Sequence, residues 1–387
     1  MLDHSQLTQL RKAIHQYPEL SHQEQDTAKR IVELFKRFSP DEVHTHLGGH
    51  GVAFVFNGKQ DGPSTLIRCE LDALPIQEQN DFAHRSVVDG VSHKCGHDGH
   101  MAIIASLGAT LATQAPISGR VILCFQPAEE TGAGAIDMVN DAKFESLKPD
   151  YAFALHNYPG LPLGQVAVRA GTFNCASRGI IIKLEGKTSH AAHPEDGVSP
   201  AAAMCQIIAK LNQLGDELAQ QGITDKLWVT VIHAKLGEVA FGTSPGEAVI
   251  MATLRSESNL GMEALVESAQ AYSRECAAQA GLKVQFSFED VFQASVNSQV
   301  GCDRVVQACR NTSTQYTLMD QPMRWSEDFG QFTSIAKQGA MFALGAGENT
   351  PQLHNPDYDF ADELIPIGHA LFLDLIKQIN CLDSHSA

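Results

Sequence analysis

Short apolar runs recur through the first 160 positions of the chain, and a helix-length apolar segment interrupts them. GVAFVF near 51–56, STLIRCE at 64–70, RVILCFQ at 120–126 and DYAFALH at 150–156 each have the length of one strand buried on both faces. MAIIASLGATLA (101–112) is apolar almost all round, which predicts a buried helix between the second and third runs. Upstream, Leu7, Leu10 and Ile14 keep helical spacing. Ser21 with Glu24 predicts a capping box ahead of the periodic run TAKRIVELFKRF. Strands alternating with helices specify an α/β domain on a largely parallel, mixed sheet covered by helices.

From residue 178 the pattern changes. RGIIIKLEG reads as a strand, SPAAAMCQIIAKLNQL as a helix opened by Pro200, and LWVTVIHAKL and EAVIMATLRSES as two further strands. MEALVESAQAYSRECAAQAG is a helix stopped by Gly281, and KVQFSFED is a last strand. The order βαββαβ is that of a ferredoxin-like unit. After 290 the α/β pattern returns with a helix near 303–311, the strand AMFALGAG and a helix near 364–378. The expected organisation is one α/β domain formed by 1–177 and 291–387, with a compact βαββαβ domain, 178–290, inserted into it.

Composition narrows the class. Hydrophobic residues make up 43% and charged residues 19%, enough for a sizeable core. Twenty-eight basic against 45 acidic residues give a formal charge of −17 without a Lys/Arg cluster, which argues against a nucleic-acid partner. No apolar run reaches the roughly 18 residues of a membrane span. The polar start MLDHSQLTQLRKAIHQ carries no apolar signal core. Nine scattered cysteines, an odd number without framework spacing, indicate reduced thiols. A cytoplasmic protein is expected.

The chemistry gathers where the runs end. STLIRC leads into Glu70 and Asp72, RVILCFQ into Glu129 and Glu130, YAFAL into His156, and AMFALGAG through a short loop to His354. Cys95-Gly-His97-Asp98-Gly-His100 precedes the buried helix. Taken singly these residues have ordinary readings: a structural histidine, a solvated acid pair, Asp98 as a helix cap, Cys95 as a buried thiol. Together, at the carboxyl ends of parallel strands, they point to a metal site. Adjacent acids with no Lys or Arg beside them need a cation to stay ionised together. A mixed Cys/His/Glu set suits zinc or another borderline divalent ion such as manganese, cobalt or nickel.

Two strings mislead. Gly242-Thr-Ser244-Pro-Gly246 has the spacing of a nucleophile elbow, but Pro245 lacks the N–H that an oxyanion needs, and a strand-like segment follows where a helix belongs. Gly345-Ala-Gly347 lacks the rest of a dinucleotide fingerprint.

The strings HQYPELSHQE (15–24), RCELDALPIQE (68–78), KCGHDGHMA (94–102), FQPAEETGAGA (125–135), LHNYP (155–159), GKTSHAAHPEDGVSPA (186–201), SEDFG (326–330) and LHNP (353–356) occur in this order. Together they resemble the metal-dependent amidohydrolase branch of the aminoacylase/carboxypeptidase superfamily, which includes N-acetyl-amino-acid deacetylases, hippurate hydrolases and indoleacetyl-amino-acid hydrolases. The resemblance covers almost the whole chain. It implies a two-metal catalytic domain with an inserted βαββαβ lid, and a homodimer formed through the lid. Cys95 would bridge two divalent ions, with His97, Glu130, His156 and His354 completing their ligands. Glu129 would be the general base and acid, and Asp72 an acid orienting a ligand. His190 would stabilise the oxyanion, in relatives commonly from the other subunit. Arg255 stands where relatives hold a substrate carboxylate. Where relatives often carry an Asn in the lid loop, this chain has Gly242 or Ser244.

The expected activity is therefore hydrolysis of the amide bond of a small N-acyl amino acid by a metal-activated water. Three rivals stand beside it. A dipeptidase or aminopeptidase would need an acid outside the metal shell, such as Glu70 or Glu195, for a free amine. A non-catalytic metal protein would have no use for Glu129. A Cys95 nucleophile would survive chelation.

Overall fold

The computed structural model describes residues 2–382. The chain opens with α1 (His4–Gln16), α2 (Gln25–Phe35), β1 (Glu42–Leu47), β2 (Gly51–Asn57), β3 (Gln60–Glu70) and α3 (His97–Leu111). It continues with β4 (Ser118–Gln126), α4 (Gly134–Asn140), β5 (Tyr151–Tyr158), β6 (Val166–Val168) and β7 (Gly171–Asn174). The middle forms β8 (Ala176–Glu185), β9 (Ser189–His190), α5 (Ala201–Gln220), β10 (Leu227–Leu236) and β11 (Thr243–Ser244). It ends with β12 (Glu247–Ser256), α6 (Asn259–Gln279) and β13 (Lys283–Phe292). The last part holds β14 (Ser295–Asn297), α7 (Gln299–Asn311), β15 (Tyr316–Leu318), α8 (Gly330–Ile335), β16 (Gln338–Gly345) and α9 (Leu364–Asn380).

These elements form two compact units. The larger runs to Phe173 and resumes with Ser295–Pro322 and again from Asp328. Its eight-stranded sheet has the order β1-β2-β4-β3-β5-β16-β6-β15. The pairs β3/β4, β3/β5 and β5/β16 are parallel, while β1, β2 and β6 pair antiparallel at the flanks. From β3 the chain crosses through α3 to β4 on one side, and then to β5 on the other. That reversal opens a crevice at the carboxyl ends of the strands, where α/β sheets place their ligands.

Helix α3 explains itself by its sequence. All fifteen of its residues are buried, so MAIIASLGATL has no polar face to give to water. It packs between α1 and α9, and its Met101, Ile104 and Leu107 join Phe35, Phe54 and Phe125 in one core. Truncating one such side chain to Ala costs about 2–5 kcal/mol.

The smaller unit comprises Asn174–Ala294 and the returning segment Met323–Glu327. Its sheet order β10-β12-β8-β13, antiparallel throughout, is the one a βαββαβ chain makes, with α5 and α6 burying its Ile180, Ile182, Ile250 and Leu254. Ser258 caps α6 by accepting the Gly261 N–H at 2.9 Å. The return of Met323–Glu327 is not visible in the pattern, because one hydrogen bond from the Cys175 N–H to the Met323 carbonyl (3.1 Å) begins it.

One local expectation, the capping box, fails, and so does the ordinary reading of Asp98 as a cap. Glu24 sits at the N-cap position of α2 but makes no side-chain cap bond, so Ser21 and Glu24 are not a capping box. Asp98 lies inside the first turn of α3, whose N-cap is Gly96, and accepts instead from His15 (2.9 Å) and Arg11 (3.3 Å). In both cases a long-range partner outcompetes the local backbone.

Candidate metal centre and active site

The carboxyl ends of β3, β4, β5 and β16 bring Asp72, Glu129, Glu130, His156 and His354 to the loop Cys95–Gly96 and the first turn of α3. Cys95, His97 and His156 offer ligand atoms within 4.8 Å of one another, as do Cys95, Glu130 and His354, and His97, Glu129 and Glu130. Cys95 thus belongs to two overlapping sets. Gly96 makes the approach possible: its φ is +94°, and a Cβ there would lie 2.6 Å from Asn157 Oδ1.

Both buried imidazoles have Nδ1 engaged by a backbone carbonyl, which frees Nε2 to act as a donor atom. His97 Nδ1 donates to the Asp72 carbonyl at 2.9 Å, and His156 Nδ1 donates to the Asn157 carbonyl at 2.9 Å. Each Nε2 lone pair is then turned into the site. His97 Nε2 is buried and has no hydrogen-bond partner among the described residues. It stands 3.8 Å from both Glu129 Oε2 and Glu130 Oε1. Cys95 Sγ is 3.4 Å from His156 Nε2, and His354 Nε2 is 3.7 Å from Glu130 Oε2. Ligands about 2.0–2.3 Å from one tetrahedral zinc lie roughly 3.3–3.7 Å apart, longer than a hydrogen bond. The donors therefore fit divalent ions in number, type and spacing.

The charges call for a cation too. Burial opposes protonation of His97, yet the Asp72 contact and the carboxylates of Glu70 and Glu130 push it up to about 10. Burial, then Glu130 and Glu129, hold the Cys95 thiol well above its ordinary value. Burial and neighbouring His100 keep His156 well below its ordinary value and hence neutral. Asp72 does more than face His97. Its Oδ2 accepts the Glu130 N–H (3.0 Å) and the Ser21 hydroxyl (2.7 Å), while its Oδ1 is 3.4 Å from His97 Nδ1. The main-chain carbonyl of Asp72, rather than its carboxylate, makes the closer contact to the imidazole.

Glu70 corrects the expectation of acids without a basic neighbour. It is buried against the Arg68 guanidinium and accepts from His100 Nδ1 at 2.7 Å. Burial raises it, but Arg68 and His100 hold it well below the usual carboxylate range. Arg68 also reaches Asp328 (2.7 Å), which accepts the Ala135 N–H (2.9 Å) and the Gln126 amide. Spacing of two along β3 puts Arg68 and Glu70 on one side, a signal present in RCELD; Asp328 comes from SEDFG, and nothing local announces its partner. Lys94 was likewise missed. Its buried ammonium donates to the Tyr358 carbonyl (2.8 Å) and its carbonyl accepts the His354 N–H (2.8 Å), tying the Cys95 loop to the segment that carries His354.

His190 and Arg255 belong to the smaller unit. Strand β9, Ser189–His190, pairs with β11, so the Gly242–Gly246 loop supports the SHAAHP segment. The Ala191 N–H donates to the Gly242 carbonyl at 2.9 Å. His190 is exposed, and its Nδ1 accepts the Ala192 N–H at 3.0 Å, which leaves Nε2 as the N–H donor of the neutral ring. Arg255 donates to the Arg324 carbonyl (2.9 Å) and Ser326 Oγ (3.0 Å) and has no carboxylate partner among the described residues. Burial lowers its pKa.

Residues 66–378 match the model of peptidase family M20/M25/M40. The chain is 28% identical to the N-acetylcysteine deacetylase of Bacillus subtilis (strain 168), covering 96% of each protein. It is 28% identical to the hippurate hydrolase of Campylobacter jejuni, covering 92% of each. Among solved structures it resembles a Bacillus subtilis protein described as a dinuclear metal-binding peptidase of family M20. The TM-score is 0.81 and the identity 26%, over 96% of this chain and 97% of that one. With its sheet order, its inserted unit and a family match over most of its length, the chain belongs to peptidase family M20/M25/M40 and is a hydrolase of amide bonds.

Proposed function

We propose that the protein hydrolyses the amide bond of a small N-acyl amino acid, of the deacetylase or hippurate-hydrolase type, in a two-metal site of the larger unit. The observation that carries this reading is the pair of donor sets sharing Cys95, with Glu129 beside them. Cys95, His97, Glu130, His156 and His354 would hold two divalent ions, with zinc or manganese suited to this mixture of donors. Such ions, when bound, supply Lewis acidity and lower the pKa of water toward 7.

The chain's own residues do the rest. Glu129, buried beside both donor sets, takes the proton of the attacking water and returns it to the leaving amine. His190, with Nε2–H presented by its backbone bond, donates to the developing oxyanion. Arg255, a cation without a carboxylate partner among the described residues, holds the substrate carboxylate. Asp72 fixes His97 and the Glu130 amide together. We read the larger unit as the catalytic domain and the smaller as lid and dimer-forming domain. Its edge strand β10 exposes Ile232, and the loop after it leaves Val239 and Phe241 almost fully exposed, an apolar edge suited to a second copy. Nine cysteines without a disulfide support a reducing, cytoplasmic setting. No described helix is long and apolar enough to cross a membrane.

A free-amine peptide substrate is less well served. Glu70 is occupied by Arg68 and His100, which leaves Glu195 as the acid to receive an amine. Turnover of an N-acetyl amino acid should exceed that of the matching dipeptide. For the base, Glu129→Gln should lower kcat by at least about 10²–10⁴-fold with metal content unchanged. Near-normal turnover in that variant would remove Glu129 from the role.

A further inference from the structure

The side chains of Ser21 and Glu24, which make no cap bond to α2, have another use. Glu24 is completely buried, and its Oε1 accepts two main-chain N–H groups, those of His22 and Ala128, each at 2.8 Å. Ala128 has a φ of +48°, in the left-handed region that non-glycine residues avoid, and it directly precedes Glu129. On the other side of Glu129 the Glu130 N–H ends on Asp72 Oδ2, which Ser21 also reaches. The N–H groups of the residues on either side of Glu129 are thus held by the buried carboxyl groups of Glu24 and Asp72, the latter bonded by Ser21. The turn closes through the Gly132 N–H to the Glu129 carbonyl (2.8 Å) and the Gly134 N–H to the Ala128 carbonyl (3.0 Å). Gly134 packs so closely that a Cβ would lie 1.6 Å from the Pro127 carbonyl. The backbone of Glu129 is therefore tightly determined, and among the described residues the hydrogen bond that reaches the strained Ala128 from far along the chain is the one to Glu24.

We propose that Glu24 is a positioning residue for the reaction: by accepting the Ala128 N–H it holds the left-handed turn that aims the Glu129 carboxylate. This rests on Glu129 being the base. A buried acid that served only to fill the core would be replaceable by an apolar side chain of its size. A positioning acceptor is replaceable only by another acceptor.

The test compares Glu24→Met, which keeps volume and removes the acceptor, with Glu24→Gln, which keeps an acceptor oxygen. It is made in the metal-loaded full chain with an N-acetyl amino acid. Glu24→Met should lower kcat about 10–100-fold with KM and metal content within about twofold, since a small misplacement of a catalytic group has that effect. Amide exchange should quicken in the peptides spanning 20–24 and 125–135, whose N–H groups Glu24 accepts, and not elsewhere. Glu24→Gln should stay within about threefold of the parent. Glycine takes a positive φ without help, so adding Ala128→Gly to Glu24→Met should recover about tenfold in kcat. Unchanged kcat in Glu24→Met, equal losses in Met and Gln, or no recovery with glycine would each overturn the proposal. Should Glu24→Met not fold, Glu24→Asp, which withdraws the acceptor by one methylene, takes its place: kcat should fall further than in Glu24→Gln and recover with Ala128→Gly, and failure of either overturns the proposal. Glu129→Gln is measured alongside. If that variant keeps its turnover, the base assignment fails; if it is inactive while Glu24→Met is fully active, only the positioning role fails.

Discussion

The Cys95–His100 turn of the larger unit and the Ser189–Pro194 turn of the smaller one both present histidines, but they are built in opposite ways. In the first, every residue is buried, and His97 and His100 have their Nδ1 atoms tied to Asp72 and Glu70 before any ion binds. In the second, a two-residue strand and a bond from the Ala192 N–H support an exposed His190. The difference suits the task proposed for each. A set of metal ligands must be preorganised, because every loose donor costs affinity. A donor to a charge that exists only in the transition state needs its tautomer fixed but not its burial.

Removing a ligand from the rigid turn should have the largest effect. Cys95→Ser should lower metal content and activity together, and chelation of the parent should abolish activity until divalent ion is restored. Full metal content in Cys95→Ser would reduce Cys95 to a buried thiol.

The exposed turn should behave otherwise. His190→Ala should lower kcat about 10²–10³-fold, as loss of one oxyanion donor does, with metal content spared. If the histidine comes from a second chain, mixing inactive Glu129→Gln and His190→Ala proteins under subunit exchange should restore activity. No recovery after demonstrated exchange would place His190 in its own chain's site or outside catalysis.

A third measurement concerns the support of the rigid turn. Burial opposes a charge on His15, but Asp98 and Glu78 outweigh it and raise its pKa from 6.5 to about 9. The folded state therefore binds this proton more tightly than the unfolded one. Its stabilisation is complete below pH 6.5 and is lost as the pH rises through about 9. The melting temperature should fall across that window, and less steeply in His15→Gln; parallel curves would mean that other groups set the slope.

The smallest effect lies in the smaller unit. Ser258→Ala removes the cap of α6 and should cost about 0.5–2 kcal/mol in denaturant unfolding, without altering metal content. A change in metal content would contradict the separateness of the two cores.

What the sequence makes legible divides along the same line. Ligand types at strand ends are visible because only Cys, His and carboxylates do that chemistry, and the strands announce themselves by unbroken apolar runs such as RVILCFQ. The βαββαβ order is visible because each of its elements has the length and period of its kind. Partners are not visible. Ser21 and Glu24 match a helix cap as a string, yet one reaches Asp72 and the other Ala128, 104 residues away. Arg68 joins Glu70 and Asp328, 260 residues apart from it in the second case, and no local pattern encodes that encounter. The short strands β6, β7, β14 and β15 are too brief to show a period at all.

The chain order of the proposed metal ligands bears on how the protein is made. The proposed ligands begin at Cys95 and end at His354, and Asn174–Ala294 lies between them. On the ribosome the inserted unit is fully synthesised, with its own core, before β16 and His354 emerge. Four of the five proposed ligands, Cys95, His97, Glu130 and His156, are translated early and wait for a segment from the far end of the chain. Completion of the ion cage is therefore tied to completion of the polypeptide, and a nascent or truncated chain lacking its last fifth would carry an unfinished cage.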